Sequence, residues 1–200
     1  MSTLLIVDMQ NDFMPNGPLP TRGADSLVPI INELMQEYPV ILATQDWHPK
    51  NHVSFAPNHP GKKVGDVVIV EGIEQILWPV HCVQNTKGAE LVAGLKTDAI
   101  QQIFYKGIDP LVDSYSAFFD NAKKRKTGLE VYLRQHAIQA FSIVGVLTDY
   151  CVLYSVLDAL ALGFDVTVIA KGCRAINKVA GDEQKAFAAM KEKGAKIRGS

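Results

Sequence analysis

Short, largely apolar runs alternate along the chain with stretches of helical spacing. Residues 3–7, 39–44, 101–105, 140–145 and 165–170 read as strands. Their near-continuous hydrophobicity is what a strand covered on both faces requires. Between the first two, Leu27, Ile30, Ile31 and Leu34 recur at helical spacing, which predicts a helix over 24–38 closed by Pro39. Residues 88–95 suggest a short helix before the third strand. Thr127 is placed to cap a helix through Leu129, Tyr132 and Leu133. A helix over 149–162 stops at Gly163, another over 182–193 stops at Gly194, and 195–198 offers a last edge strand. The alternation predicts a three-layer α/β/α fold with a mostly parallel, about six-stranded central sheet. The chain reads as one domain over 1–200, without repeats or an interdomain linker.

Two stretches break the pattern. Residues 47–87 carry five prolines or glycines between Pro49 and Gly65, then Pro79, with Val67-Val-Ile-Val70 as a short strand inside them. Residues 107–126 are polar and aromatic. Loops this long inside a compact domain are usually functional.

Composition narrows the classes. The chain has 200 residues, is 48% hydrophobic and 20% charged, and carries a formal charge of −1. That balance is ordinary for a globular domain and gives no electrostatic case for nucleic acid or anionic membranes. Lys123-Lys-Arg-Lys126 reads as a solvated loop or helix start. The first apolar run is shorter than the core of a signal peptide, and no run approaches the roughly 20 residues of a membrane span. A cytoplasmic location is expected, with self-association left open. The 3 cysteines, Cys82, Cys151 and Cys173, are odd in number and far apart, so they read as reduced thiols.

Chemistry gathers where the strands end. The first runs out at Asp8, the second into Asp46 and His48, the third at Lys106, and the fourth into Thr148-Asp-Tyr-Cys151. In a parallel sheet those carboxyl ends share one edge, where open α/β folds bind ligands. Asp46, His48 and His81 form a carboxylate and imidazole set that suits zinc, ferrous iron or manganese. Scattered histidines in a polar loop are the alternative. Cys151 falls at the first turn of a helix, where amide dipoles and a nearby Lys106 would lower a thiol's pKa, and Asp8 could accept its proton. A buried helix cysteine is the competing reading. Phe13, Trp78 and Tyr115 adjoin these segments and could sandwich a flat ring, or simply fill the core.

Taken together, Asp8-Met-Gln-Asn-Asp-Phe13, Gln45-Asp-Trp-His-Pro49, Trp78-Pro-Val-His-Cys82, Lys106-Gly with Asp113-Ser-Tyr-Ser-Ala-Phe118, and Gly145-Val-Leu-Thr-Asp-Tyr-Cys151 resemble the isochorismatase-like cysteine hydrolases. Within that family they are most similar to its nicotinamide- and pyrazinamide-deamidating members. The resemblance implies a cysteine amidohydrolase with Cys151 as nucleophile, Asp8 as base and Lys106 completing a triad. It implies a divalent metal, zinc first and iron or manganese next, on Asp46, His48 and His81, with a further ligand near His52 in some members. It also implies a ring held by Phe13, Trp78 and Tyr115, and an oxyanion hole from the amides of Leu147 and Cys151, with a cis bond between Val146 and Leu147. Leu147 departs from the small alanine usual there, which bears on substrate preference. The rivals are an isochorismatase-type or carbamoyl-directed hydrolase on the same scaffold, and a metal- or redox-sensing protein without turnover.

Overall fold

A computed structural model of the protein describes residues 2–199. The strands are β1 (Thr3–Val7), β2 (Val40–Asp46), β3 (Val67–Val70), β4 (Ile73–Ile76), β5 (Gln102–Lys106), β6 (Ala140–Val146), β7 (Asp165–Arg174) and β8 (Lys196–Arg198). The α-helices are α1 (Leu27–Leu34), α2 (Leu129–Gln135), α3 (Leu153–Ala161) and α4 (Asp182–Glu192). Six strands form one sheet in the order β5-β2-β1-β6-β7-β8, and every pairing in it is parallel. β3 and β4 form a separate antiparallel hairpin.

The strand order reverses direction between β1 and β6. From β1 the chain steps through β2 to β5 on one side, and from β6 through β7 to β8 on the other. Right-handed crossovers then place α1 on one face of the sheet and α2, α3 and α4 on the opposite face. α3 and α4 touch each other, as that placement requires. The reversal opens a crevice at the carboxyl ends of β1 and β6. All of β1 is buried, so its uninterrupted Thr-Leu-Leu-Ile-Val sequence is what the centre of such a sheet needs.

Three local expectations change. The segment 88–95 is not a helix beyond a single 3-10 turn at Lys87–Ala89. Its backbone is used by the loop after β1: Val92 N–H donates to Met9 O (2.8 Å), Glu90 O accepts from Asn11 N–H (3.1 Å), and Gln10 bridges to Leu91. The helix expected at 24–38 tightens into a 3-10 turn at Met35–Glu37. The one expected from 149 begins as a wide π turn over Thr148–Val152 before α3 continues it. No peptide bond among the described residues is cis, Val146–Leu147 included. The chain turns there because Leu147 adopts left-handed geometry, φ 61 and ψ 61. Gly145 (φ 131) lies so close to β1 that a Cβ would stand 2.1 Å from Val7 O.

Thr127 Oγ1 accepts the Leu129 N–H at the start of α2 (3.2 Å), and Gly163 and Gly194 are left-handed after their helices. The basic tetrapeptide is a solvated loop: Lys123 pairs with Asp158, Arg125 with Asp109 and Lys126 with Glu130. Among the described residues, no helix is long and apolar enough to cross a membrane.

Candidate active site

The residues ending four strands meet at the reversal point. Asp8 follows β1 and leaves strand geometry at once, with φ 52. Asp46 ends β2 and Lys106 ends β5, paired with each other in register. Cys151 sits in the π turn after β6. Such one-turn widenings of a helix often occur at functional positions.

Lys106 is at the centre. Its side chain is buried, and its Nζ lies 2.8 Å from Asp8 Oδ2, 3.4 Å from Cys151 Sγ and 3.1 Å from Ser114 O. It is also ion-paired to Asp46 Oδ1. Burial works against the ammonium, yet Asp46 and then Asp8 hold the Lys106 pKa well above its ordinary value. Burial likewise raises Asp46, but Lys106, followed by His48, outweighs it and keeps that carboxylate well below its usual range. At Asp8 burial prevails, so its carboxyl is shifted upward despite Lys106.

The Cys151 thiol runs against the expectation from its place at a helix start. Burial pushes its pKa well above the ordinary value. Lys106 pulls it down, and the carboxylates of Asp8 and Asp46 push it up again. A desolvated thiol facing two anions keeps its proton, and so needs a base within reach. Asp8, Asp46 and Cys151 each offer an atom within 4.8 Å of the other two.

Beside this group stands the imidazole pair. Asp46, His48 and His81 also present atoms within 4.8 Å of one another. The Nε2 atoms of His48 and His81 lie 3.6 and 3.9 Å from Asp46 Oδ2. His48 Nδ1 meets Gly107 O at 3.0 Å, and His81 Nδ1 meets Pro79 O at 2.8 Å. A carbonyl can only accept, so each Nδ1 carries a proton, and Nε2 presents a lone pair wherever the ring is neutral; burial works against charge on His48, yet Asp46 raises its pKa. That is how second-sphere carbonyls prepare imidazoles for metal. His48 Nε2 is buried without a hydrogen-bond partner. Burial, then His48, lowers the His81 pKa to about 4, which keeps its ring neutral. The donor set fits a divalent ion.

His52 lies against the same cluster, its ring centroid 4.2 Å from that of His48. Its Nδ1 faces Ser54, 2.7 Å from Oγ and 3.3 Å from N, and its Nε2 is buried without a hydrogen-bond partner. His48, His52 and Asp113 likewise present atoms within 4.8 Å of one another.

Over these groups is a small cavity lined by Leu19, Asp46, Trp78, His81, Asp113, Tyr115, Leu147, Tyr150 and Cys151. Trp78 and Tyr115 are thus wall residues. Trp78 Nε1 donates to the Tyr115 hydroxyl at 3.2 Å, and Tyr150 packs edge-on against the Trp78 ring at 5.0 Å. Phe13 stands behind the wall, its ring 5.6 Å from that of His81. The amides of Leu147 and Cys151 belong to the turn that carries the thiol. Leu147 O accepts the N–H groups of Tyr150 and Val152 at 2.9 and 3.1 Å.

Several contributors had no signal of their own in the sequence. Leu19 comes from a loop without periodicity. Tyr150 lies inside a motif noted for its neighbour. Gln10 binds both backbone groups of Asp46, accepting from N and donating to O at 2.8 Å each. Thr44 Oγ1 donates to Asp8 Oδ1 at 2.6 Å.

A family model described as "Isochorismatase domain" matches residues 2–200. A nicotinamidase of Escherichia coli (strain K12) is 45% identical over 204 aligned residues, covering 97% of this chain and 92% of that protein. The yeast nicotinamidase bound to the inhibitor nicotinaldehyde superposes with a TM-score of 0.93 at 36% identity, covering 98% of this chain and 99% of that one. A pyrazinamidase of Pyrococcus horikoshii in complex with zinc gives a TM-score of 0.79 at 38% identity, with 98% and 97% covered. The chain therefore belongs to the isochorismatase family, its domain matched from residue 2 to the last residue.

Proposed function

We propose that this protein is a cysteine amidohydrolase that converts nicotinamide to nicotinate and ammonia, and pyrazinamide in the same way. One observation carries the reading: Cys151, its sulfur 3.4 Å from Lys106 Nζ, lines the same cavity as Asp46 and His81. A nucleophile and a ligand set share a single opening. The names of the relatives, nicotinamidase and pyrazinamidase, support the substrate.

The chain's residues divide the work as follows. Trp78 and Tyr115 hold the flat ring, with Phe13 bracing His81 behind it and Leu147 closing the wall. Asp8 takes the proton of the Cys151 thiol as sulfur bonds to the amide carbon. The carbonyl oxygen gains charge against the N–H groups of Leu147 and Cys151; one such donor is typically worth about 3–4 kcal/mol. Asp8 then protonates the nitrogen as the carbon–nitrogen bond breaks, and ammonia leaves a thioester on Cys151. Water gives a proton to Asp8, its oxygen bonds to the acyl carbon, and the thiol is restored with that proton. Lys106 stays cationic throughout and balances the charge shared by Asp8 and sulfur.

Asp46, His48 and His81 would hold one divalent ion, zinc in the first instance and iron or manganese as alternatives. Bound there, it supplies a Lewis-acid anchor for the ring nitrogen. The whole chain acts as one cytoplasmic domain on a small molecule, in salvage of pyridine nucleotides, with no nucleic acid or membrane partner.

The test is ammonia release from nicotinamide by the wild type and Cys151→Ala, each with and without chelator, beside isochorismate and carbamoyl amino acids. Release by the wild type alone, lowered by chelation and restored by added metal, is expected. A wild type inert toward nicotinamide and active on either other class would replace this reading.

A further inference from the structure

We propose that Thr44 is a positioning residue for the reaction: its hydroxyl holds one oxygen of Asp8 so that the other is left between Lys106 and the Cys151 thiol. The proposal rests on the reading of Asp8 as the proton acceptor. It concerns what aims that carboxylate.

Asp8 is fully buried and stands just beyond β1 with a left-handed backbone. Strand geometry therefore does not by itself set its side-chain direction. Its two oxygens are held differently: Oδ1 accepts a hydrogen bond, whereas Oδ2 accepts none and is held by charge alone. Lys106 reaches Oδ2 at 2.8 Å, but its ammonium is divided among Asp8, Asp46, the Ser114 carbonyl and the Cys151 sulfur. A cation shared four ways, on a flexible stem, is a poor guide for any one of them. Thr44 is different. It is fully buried, sits inside β2 between paired strands, and gives its hydroxyl to Asp8 Oδ1 at 2.6 Å. A β-branched side chain in a strand is stiff about χ1, so its hydroxyl direction is set by the sheet. The bond to an anion is charge-assisted and short, as such bonds are.

With Oδ1 taken, the thiol proton is delivered to Oδ2, the oxygen already beside Lys106. Thr44 itself neither gives nor receives a proton and touches no substrate. It removes the rotation that would let Asp8 present the wrong oxygen. In reactions governed by such alignment, a small misplacement can cost on the order of 100-fold.

Thr44→Val keeps the shape and removes the hydroxyl, and Thr44→Ser keeps the hydroxyl. Each is assayed for nicotinamide turnover, bound metal, and alkylation of Cys151 by iodoacetamide, read by mass spectrometry to separate it from Cys82 and Cys173. For Thr44→Val the expected result is a fall in kcat of about 10- to 100-fold with KM within about twofold. Metal content should be unchanged and alkylation slower. Thr44→Ser should stay within about threefold of the wild type in both rates. Wild-type kcat in Thr44→Val overturns the proposal. Equal damage from serine and valine would make the role packing. A kcat loss that follows metal loss would assign the effect to Asp46, two residues along β2. If the valine variant fails to fold, Thr44→Ala takes its place in the same comparison. A wild type that releases no ammonia defeats the proposed function, whereas the alkylation rates still decide about Thr44.

Discussion

Lys106 is ion-paired to Asp46, the carboxylate of the metal-fitting cluster, and with the same nitrogen to Asp8, 2.8 Å away. One buried ammonium thus joins Asp8 and Cys151 to the imidazole cluster. Neither half of the site is electrostatically independent of the other.

Replacing Lys106 by Met leaves two buried carboxylates without their cation. Removing one partner of a buried ion pair typically costs about 3–5 kcal/mol. Urea denaturation of Lys106→Met should show a loss of that order, and ammonia release should vanish. A variant with wild-type stability would mean that the carboxylates are solvated and the pairing weak.

Gly107 is tied to His48 in two ways. Its carbonyl accepts from His48 Nδ1, and at φ +65 an added Cβ would stand 2.3 Å from His48 Cε1. Gly107→Ala should therefore push the imidazole aside and weaken divalent-metal affinity by about 10- to 100-fold, the usual effect of disturbing a ligand's support. Competition with a chromophoric chelator measures this. Unchanged affinity would remove His48 from the ligand set.

His52 gives a pH signature in the chelated protein. Burial, then His48, lowers its pKa to about 4. Above the unfolded value of about 6.5, both folded and unfolded chains carry it neutral, and it has no effect. As pH falls from there toward 4, the unfolded chain takes a proton that the folded one refuses, so stability is lost, and the loss levels off below 4. Relative to His52→Asn, the wild type should become less stable across that window by up to about 3 kcal/mol, at 1.36 kcal/mol per unit. Parallel melting temperatures in the two proteins from pH 7 to 4 would contradict a buried, neutral His52.

Tyr115 accepts the indole N–H of Trp78. Tyr115→Phe keeps the ring and removes that acceptor, a loss of about 1 kcal/mol for a neutral hydrogen bond. Nicotinamide KM should rise about fivefold with kcat little changed, since the change loosens a wall and not the triad. A fall in kcat at constant KM would instead place the tyrosine hydroxyl in the chemistry.

The strands were readable because each is written locally. Five largely apolar runs sit in the sheet near where their pattern puts them, and Asp8, Asp46 and Lys106 fall at their ends. Gly163 and Gly194 stop helices by their own backbone freedom. Residues 88–95 carry helical spacing yet pair their backbone with Met9 and Asn11, which are remote in sequence. Helical spacing carries no word of a distant strand-like neighbour.

Residue types, their order along the chain and the alternation of strand with helix were determined by the sequence alone, since periodicity and turn chemistry act over a few residues. Tertiary structure decided the direction reversal between β1 and β6, the sharing of Lys106 by two carboxylates, the hold of Thr44 on Asp8 and the upward shift of the Cys151 thiol. The last shows why. A helix start predicts a lowered thiol pKa from nearest neighbours, whereas burial and the charges of Asp8 and Asp46 reach that sulfur only once the sheet has closed around it.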